Sequence, residues 1–296
     1  MRIHNLLMGA AAAALLVSAS GARAATIDLS TLQLNGMASA TANDLNLNQG
    51  TVRGASSGFL TSTFSSGDAF SGSFDISLVD IGSIGAATDP DGVPVLDGNG
   101  DPAGYGHQAD GVAFLIQNDP NGASALGGGG GGIGADGIGN SVGIGFQSWD
   151  NNHATIFLGG ETCDIPAGTF SNAYCGSGAL GNFSLGDNLA NHIHVTFGYS
   201  GGVLSFTALN SDTAQSTTQS RAVDLTTFGP QLYFGFTGAT GLGYAAQDVS
   251  NFELTVRPAG PGVPEPATWA LMLMGFGGLG ALVRRRRAHE GLAARA

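Results

Sequence analysis

The sequence predicts an all-β fold, a sandwich of antiparallel sheets, and three observations predict it. At least ten segments are β-rich or alternate apolar and polar residues with period two, turn residues separate them, and no convincing helix intervenes. Glycine supplies 50 of the 296 residues and lysine is absent, which excludes a helical bundle and a basic nucleic-acid surface. The body, residues 25–262, has the length of one large β domain rather than two.

The strand-like segments, in order, are "TIDLSTLQL", "DLNLN", "AFSGSFDISLVD", "ADGVAFLIQN", "SVGIGFQSW", "HATIFLG", "NHIHVTFGYS", "VLSFTALN", "QLYFGFTG" and "VSNFELTVR". "GYSGGVLSF" reads as a hairpin, because Ser200-Gly201-Gly202 supplies the positive φ values of a tight turn. Two loops stand out, Asp89 to Gly106 and the glycine tract Gly127 to Gly132. In "SVGIGFQSWDNNHATI" a half-buried strand, with Val142, Ile144 and Phe146 alternating against Gly143, Gly145 and Gln147, breaks into Asp150, Asn151, Asn152 and His153 beside Trp149. Those side chains suit a metal site, a sugar site or a polar hairpin.

The ends are signals. Residues 1–24 place Arg2 before an apolar run too short to span a bilayer comfortably and finish in Ala22-Arg23-Ala24, a signal peptide with its cleavage pattern. The chain is therefore expected to be exported, the domain filling residues 25–258. A linker, 259–266, carries Pro264-Glu265-Pro266; an apolar span, 267–283, is long enough to cross a membrane, and the basic tail, 284–296, stays cytoplasmic by the positive-inside rule. This order of parts resembles the PEP-CTERM sorting signal of Gram-negative bacteria, which implies an exosortase-type processing partner and a place in the cell envelope, at the surface or in the extracellular matrix.

From Ala25 to Gly262 there are 18 Asp, two Glu and three Arg, a formal charge of about −17. Such a surface repels nucleic acid and anionic lipid and attracts divalent cations. Cys163 and Cys175 enclose eleven residues in an exported chain and are expected to form a loop-stapling disulfide, worth about 3 kcal/mol.

The pieces "LNGMASATANDLNLN", "ADGVAFLIQNDPNGASALGGGGGGIG", "NSVGIGFQSWDNNH", "NHIHVTFGYSGGVLSFTAL" and "LYFGFTGATGLGYAAQDVSNFEL", in that order, resemble the legume-type lectins of the concanavalin A-like group. The resemblance implies a concanavalin A-like jelly-roll sandwich and a partner that is a glycan or exopolysaccharide. It implies a sugar site in which Asp110, after a cis peptide bond to Ala109, accepts hydrogen bonds from sugar hydroxyls; a plain Asp-Gly turn into "VAFLI" is the other reading. One glycine of 128–131, with Gly129 and Gly130 as the candidates, offers a backbone N–H where a side chain would obstruct; the tract also suits a merely flexible loop. Trp149 falls on the family's sugar-stacking aromatic, a core residue near a strand end being the other reading, and Asn151 on an amide that binds sugar and coordinates calcium.

The metal ligands depart from the family. Gly145 and Gln147 stand where it has Glu and Asp, so no cofactor is assured, and Asp150 with Asn151 are left to hold at most a weak calcium. His153 matches the family's histidine ligand without the usual acid before it. Asp97, Asn99 and Asp101 have the alternate spacing of a calcium loop but lack its closing Glu. His192 and His194, on one strand face, read as an exposed polar stripe rather than a metal pair. Glycoside hydrolysis needs two close carboxylates; Glu161 and Glu253, the body's two glutamates, lie in separate segments, so no enzyme is expected.

Overall fold

The computed structural model describes residues 25–51, 53–79, 109–148, 153–159, 190–241, 243, 245–258, 274 and 276. The signal peptide, the 89–106 loop with Asp97, Asn99 and Asp101, both cysteines, Glu161 and the Pro264-Glu265-Pro266 motif lie outside the described residues, as does most of the apolar span. No helix among the described residues is long and apolar enough to cross a membrane.

Among the described residues fifteen strands appear in chain order: β1 (Ala25–Thr26), β2 (Gln33–Gly36), β3 (Ser39–Ala40), β4 (Asp44–Gln49), β5 (Ala55–Phe59), β6 (Phe64–Ser65), β7 (Ala69–Val79), β8 (Gly111–Gln117), β9 (Ser141–Gln147), β10 (His153–Leu158), β11 (Ala190–Ser200), β12 (Val203–Asn210), β13 (Gln215–Ala222), β14 (Gln231–Ala239) and β15 (Ala246–Arg257). One sheet runs β13-β12-β11-β7-β15-β4-β3 with β1 added to β15, and the other runs β10-β9-β8-β14-β5-β2 with β6 added to β14. Every pairing among them is antiparallel.

The two sheets enclose an aromatic core. The Phe114 ring lies 4.5 Å from Phe197, 5.4 Å from Phe236 and 5.6 Å from Phe74, one residue from each of four strands. Such rings gain from tilted, edge-rich contacts as well as from leaving water. Period-two alternation produces this core directly: on β12, Leu204, Phe206 and Ala208 are buried while Val203, Thr207 and Leu209 are exposed.

Three sequence readings need correction. "TIDLSTLQL" is not one strand: Asp28 accepts a hydrogen bond from the Ser30 N–H (3.0 Å), winding Leu29–Thr31 into a 3-10 turn between β1 and β2. Strands β5 and β13, "ASSGF" and "QSTTQSRA", carry too little apolar alternation to be read as strands. Ser56 and Ser57 of β5 are fully buried by tight packing, and β13, at the end of its sheet among the described residues, consists of polar residues apart from Ala222.

The third correction concerns β9, which is buried on both faces rather than one. A second apolar cluster, Phe59, Ala113, Leu115, Ala125, Ile133, Ala135, Ile138 and Phe157, covers the outer face of the seven-stranded sheet. Four of its members belong to the segment between β8 and β9, so that connection is a folded lid over its own strands. Phe157 on β10 leans across the glycine face: a Cβ at Gly143 would lie 2.3 Å from its ring and one at Gly145 3.0 Å away. The glycines give the ring its seat.

At the far edge of each sheet the two layers are joined by side chains. Gln219 Nε2 and Arg221 Nη1 of β13 donate to the Ala154 and Ile156 carbonyls of β10, at 3.1 and 3.0 Å.

Candidate functional site

Asp110 stands immediately before β8, and the Ala109–Asp110 peptide bond is cis, as the family resemblance implies. Its backbone is held from both sides: the N–H donates to the Ala239 carbonyl (2.9 Å), and the carbonyl accepts from the Ser148 N–H (2.9 Å). The side chain is buried, the residue only 5% exposed, and accepts a hydrogen bond from the Gly241 N–H. Its Oδ2 has no partner among the described residues. Burial pushes the carboxyl from its ordinary 3.8 up to about 7, the Gly241 bond opposing this only in part. A carboxylate left one lone-pair-rich oxygen short of donors is equipped to accept from a ligand's hydroxyls.

The glycine tract is an ordered loop. Gly127 and Gly128 donate to the Gly134 and Asp136 carbonyls at 3.0 and 2.8 Å, and the Gly134 N–H returns to the Gly128 carbonyl at 2.9 Å. Gly130 has φ +60° and spends its N–H on the Thr240 carbonyl (3.1 Å), so this glycine serves the turn. Gly129 differs: it is exposed, its N–H has no partner among the described residues, and a Cβ there would meet nothing nearer than the Gly54 carbonyl at 3.6 Å. The fold does not itself demand a glycine at 129.

A further segment, after β14, completes the cluster, and from it sequence reading singled out no residue. Thr240 Oγ1 accepts from the Gly54 N–H and Asn48 Nδ2 (both 3.1 Å) and donates to the Thr51 carbonyl. Gly241 lets the chain pass Asp110, since a Cβ there would sit 2.8 Å from Oδ2, and its carbonyl accepts from the Arg53 N–H (2.8 Å). Gln247, fully buried on β15, donates to the Ala109 and Ala239 carbonyls at 3.2 and 2.7 Å and so ties β8 to β14 where Asp110 leaves the sheet. The available signal was chemical: a Thr and a Gln standing among small and apolar residues in "TGATGLGYAAQDV" are expensive to bury unless they hold something.

Gln147 is the register partner of both Gly111 and His153, which brings the end of β9 beside the Asp110 end of β8. Its Nε2 donates to the Gly131 carbonyl (3.0 Å), linking β9 to the glycine loop rather than serving a metal. A calcium and manganese pair does not fit positions 145 and 147: the first has no side chain and faces Phe157 and Ile133, and the second is a neutral amide engaged with backbone. Among the described residues no three His, Cys, Asp or Glu side chains gather to hold a metal. Trp149, Asp150 and Asn151 lie outside the described residues. The site therefore brings together Asp110 and the Gly129–Gly130 loop, and adds Thr240, Gly241 and Gln247.

Solved structures that the body resembles include legume lectins. Basic winged bean lectin with Tn-antigen matches at 16% identity and TM-score 0.56, over 80% of this chain and 99% of that one. The body has the legume-lectin fold. This lectin-type jelly-roll sandwich also resembles the lectin UEA-II complexed with galactose (13% identity, TM-score 0.54, 79% and 98% covered). A metal-free form of lectin I-B4 from Griffonia simplicifolia matches at 14% identity and TM-score 0.51, covering 77% and 93%. Residues 262–287 match the PEP-CTERM protein-sorting motif. No curated protein matches the chain in sequence.

Proposed function

We propose that the lectin-type domain binds a glycan or exopolysaccharide without chemical conversion. The observation that carries this reading is Asp110, a buried carboxylate with Oδ2 unpartnered among the described residues, set where three loops converge. Sugar hydroxyls supply the missing donors, the Gly129 N–H offers a donor in return, Trp149 stacks on the ring and Asn151 contributes its amide. Gln247, Gln147 and Thr240 hold the loops, so metal is dispensable; a calcium near Asp150 and Asn151 is at most loosely held. The absence of catalysis rests on the carboxylates: Glu253 lies on β15 with no glutamate partner on its strand, and Glu161 belongs to a separate segment.

The rest of the chain is sorting apparatus in this reading. Residues 1–24 direct export, the apolar 267–283 span holds the protein in the membrane, and an exosortase-type enzyme acts at Pro264-Glu265-Pro266, delivering residues 25–258 to the envelope, surface or matrix of a Gram-negative cell. A monosaccharide binds weakly, around millimolar or about −4 kcal/mol, and repeated sites on a polymer supply useful avidity.

A glycan array probed with the mature protein, first with calcium and then with chelator, tests the reading. Binding that Asp110→Ala abolishes and chelator spares supports it. A folded protein that binds no glycan gives way to a second reading, a structural surface protein on a lectin scaffold, which the apolar filling of positions 143 and 145 by Phe157 favours.

A further inference from the structure

The outer face of the eight-stranded sheet carries a pair of imidazoles with an arrangement the glycan site does not use. His192 and His194 stand two residues apart on β11, both exposed, with side chains 58% and 52% accessible. Each has its Nδ1 on a carboxylate: His192 on Asp212 Oδ2 at 3.1 Å, His194 on Asp75 Oδ1 at 2.6 Å. The carboxylates are themselves fixed. Asp75 lies directly across the ladder from His194 and its Oδ2 accepts from Asn251 Nδ2 (2.7 Å). Asp212 also accepts the His192 backbone N–H (2.7 Å), and its own N–H donates to Asn210 Oδ1 (2.9 Å).

A carboxylate at Nδ1 keeps the proton there in the neutral ring and leaves Nε2 as a lone pair, the same outer-sphere support that metal-bound histidines receive in proteins. Neither Nε2 has a partner among the described residues. Residues i and i+2 of a strand share a face about 6.8 Å apart, and one ion held by both imidazoles requires each Nε2 to turn to about 2.0–2.1 Å from it. Imidazole nitrogen selects borderline cations, zinc, nickel or copper, over calcium and magnesium.

We propose that His192 and His194 form an open two-histidine site for a divalent transition-metal ion, with Asp75 and Asp212 as positioning residues and water in the remaining coordination positions. The site lies on the sheet that does not contain the Asp110 strand and is independent of glycan binding. An exposed surface pair makes two ordinary ion pairs worth under about 1 kcal/mol each if it has only a structural role, and then binds no metal.

The experiment is calorimetric titration of the untagged full-length protein with Ni2+, Zn2+ and Cu2+ at neutral pH, paired with the electron paramagnetic resonance spectrum of the Cu2+ form. One equivalent bound, two nitrogen ligands in the spectrum, at least tenfold weakening by His192→Ala and by His194→Ala, and no change with His153→Ala is the expected result. Asp75→Asn, which preserves shape and both histidines, weakens binding about tenfold to a hundredfold. Binding that survives either alanine substitution, or that His153→Ala removes, overturns the proposal, as does a protein that takes up none of the three ions.

Discussion

Replacing Asp110 by asparagine separates what the carboxylate does for the fold from what it does for a ligand. Its carboxyl titrates at about 7 in the folded protein against an ordinary 3.8. Because the folded value is the higher one, the stabilisation from holding the proton is fully present below about pH 4 and disappears as the pH rises through about 7. That interval, at about 1.4 kcal/mol per pH unit, amounts to about 4 kcal/mol of stability that the wild type lacks at pH 8. The substituted amide carries no charge at any pH. It retains an oxygen for the Gly241 N–H but turns its nitrogen toward a place without an acceptor among the described residues, a loss of about 1–3 kcal/mol. Asp110→Asn is therefore expected to be more stable than wild type at pH 8 by about 1–3 kcal/mol and less stable at pH 4 to 5, with glycan binding gone at both. Urea unfolding between pH 4 and 8 measures the first effect and a glycan-binding assay the second. Stability curves that run parallel over this range would refute the account of Asp110 as a carboxylate whose charge is held against burial, and glycan binding retained by the variant would refute its role as acceptor.

Four further outcomes follow from the same contacts. Phe157→Ala, which empties the seat over Gly143 and Gly145, should cost about 3–5 kcal/mol in thermal or urea unfolding; a loss under about 1 kcal/mol means the ring does not organise that face. Gln247→Leu leaves the Ala109 and Ala239 carbonyls without their side-chain donor and should destabilise by about 2–3 kcal/mol while weakening glycan binding, measured by denaturation and by the array. Extensive dialysis against chelator should leave the unfolding temperature and glycan binding unchanged, and elemental analysis finding two stoichiometric metals afterwards would mean the register of β9 had been misread. Mass spectrometry of the protein from the native envelope or medium should recover no peptide from Ala288–Ala296, and an intact one there contradicts processing of the sorting tail.

The large architecture was legible because it follows from alternation: each apolar residue of "VLSFTALN" or "QLYFGFTG" that period two assigns to the inside is inside. Asp110 and its cis bond were legible through resemblance alone, since nothing in "ADG" distinguishes a ligand acceptor from a turn. Hidden were features made by packing between distant segments. Gly143 and Gly145 looked like a bare face because the ring that covers them comes from β10 and its companions from the preceding loop. Strand β13 was illegible for the opposite reason: it pairs through its backbone and reaches β10 with polar side chains, which leaves almost no hydrophobic trace. Thr240 and Gln247 each work through several hydrogen bonds, most of them to groups far away in sequence, which no local pattern encodes.

The side-chain stitches from β13 to β10 have a consequence for association between copies of this protein. An open sheet edge is a template on which a neighbouring chain can nucleate, and both strands are outermost in their sheets among the described residues. Gln219 and Arg221 occupy the Ala154 and Ile156 carbonyls, so a foreign strand must first displace an amide and a guanidinium to pair there. Molecules crowded on one surface can thus lie flank to flank without fusing their sheets along this margin. Two polar side chains take the part usually given to lysine, a residue this sequence does not contain.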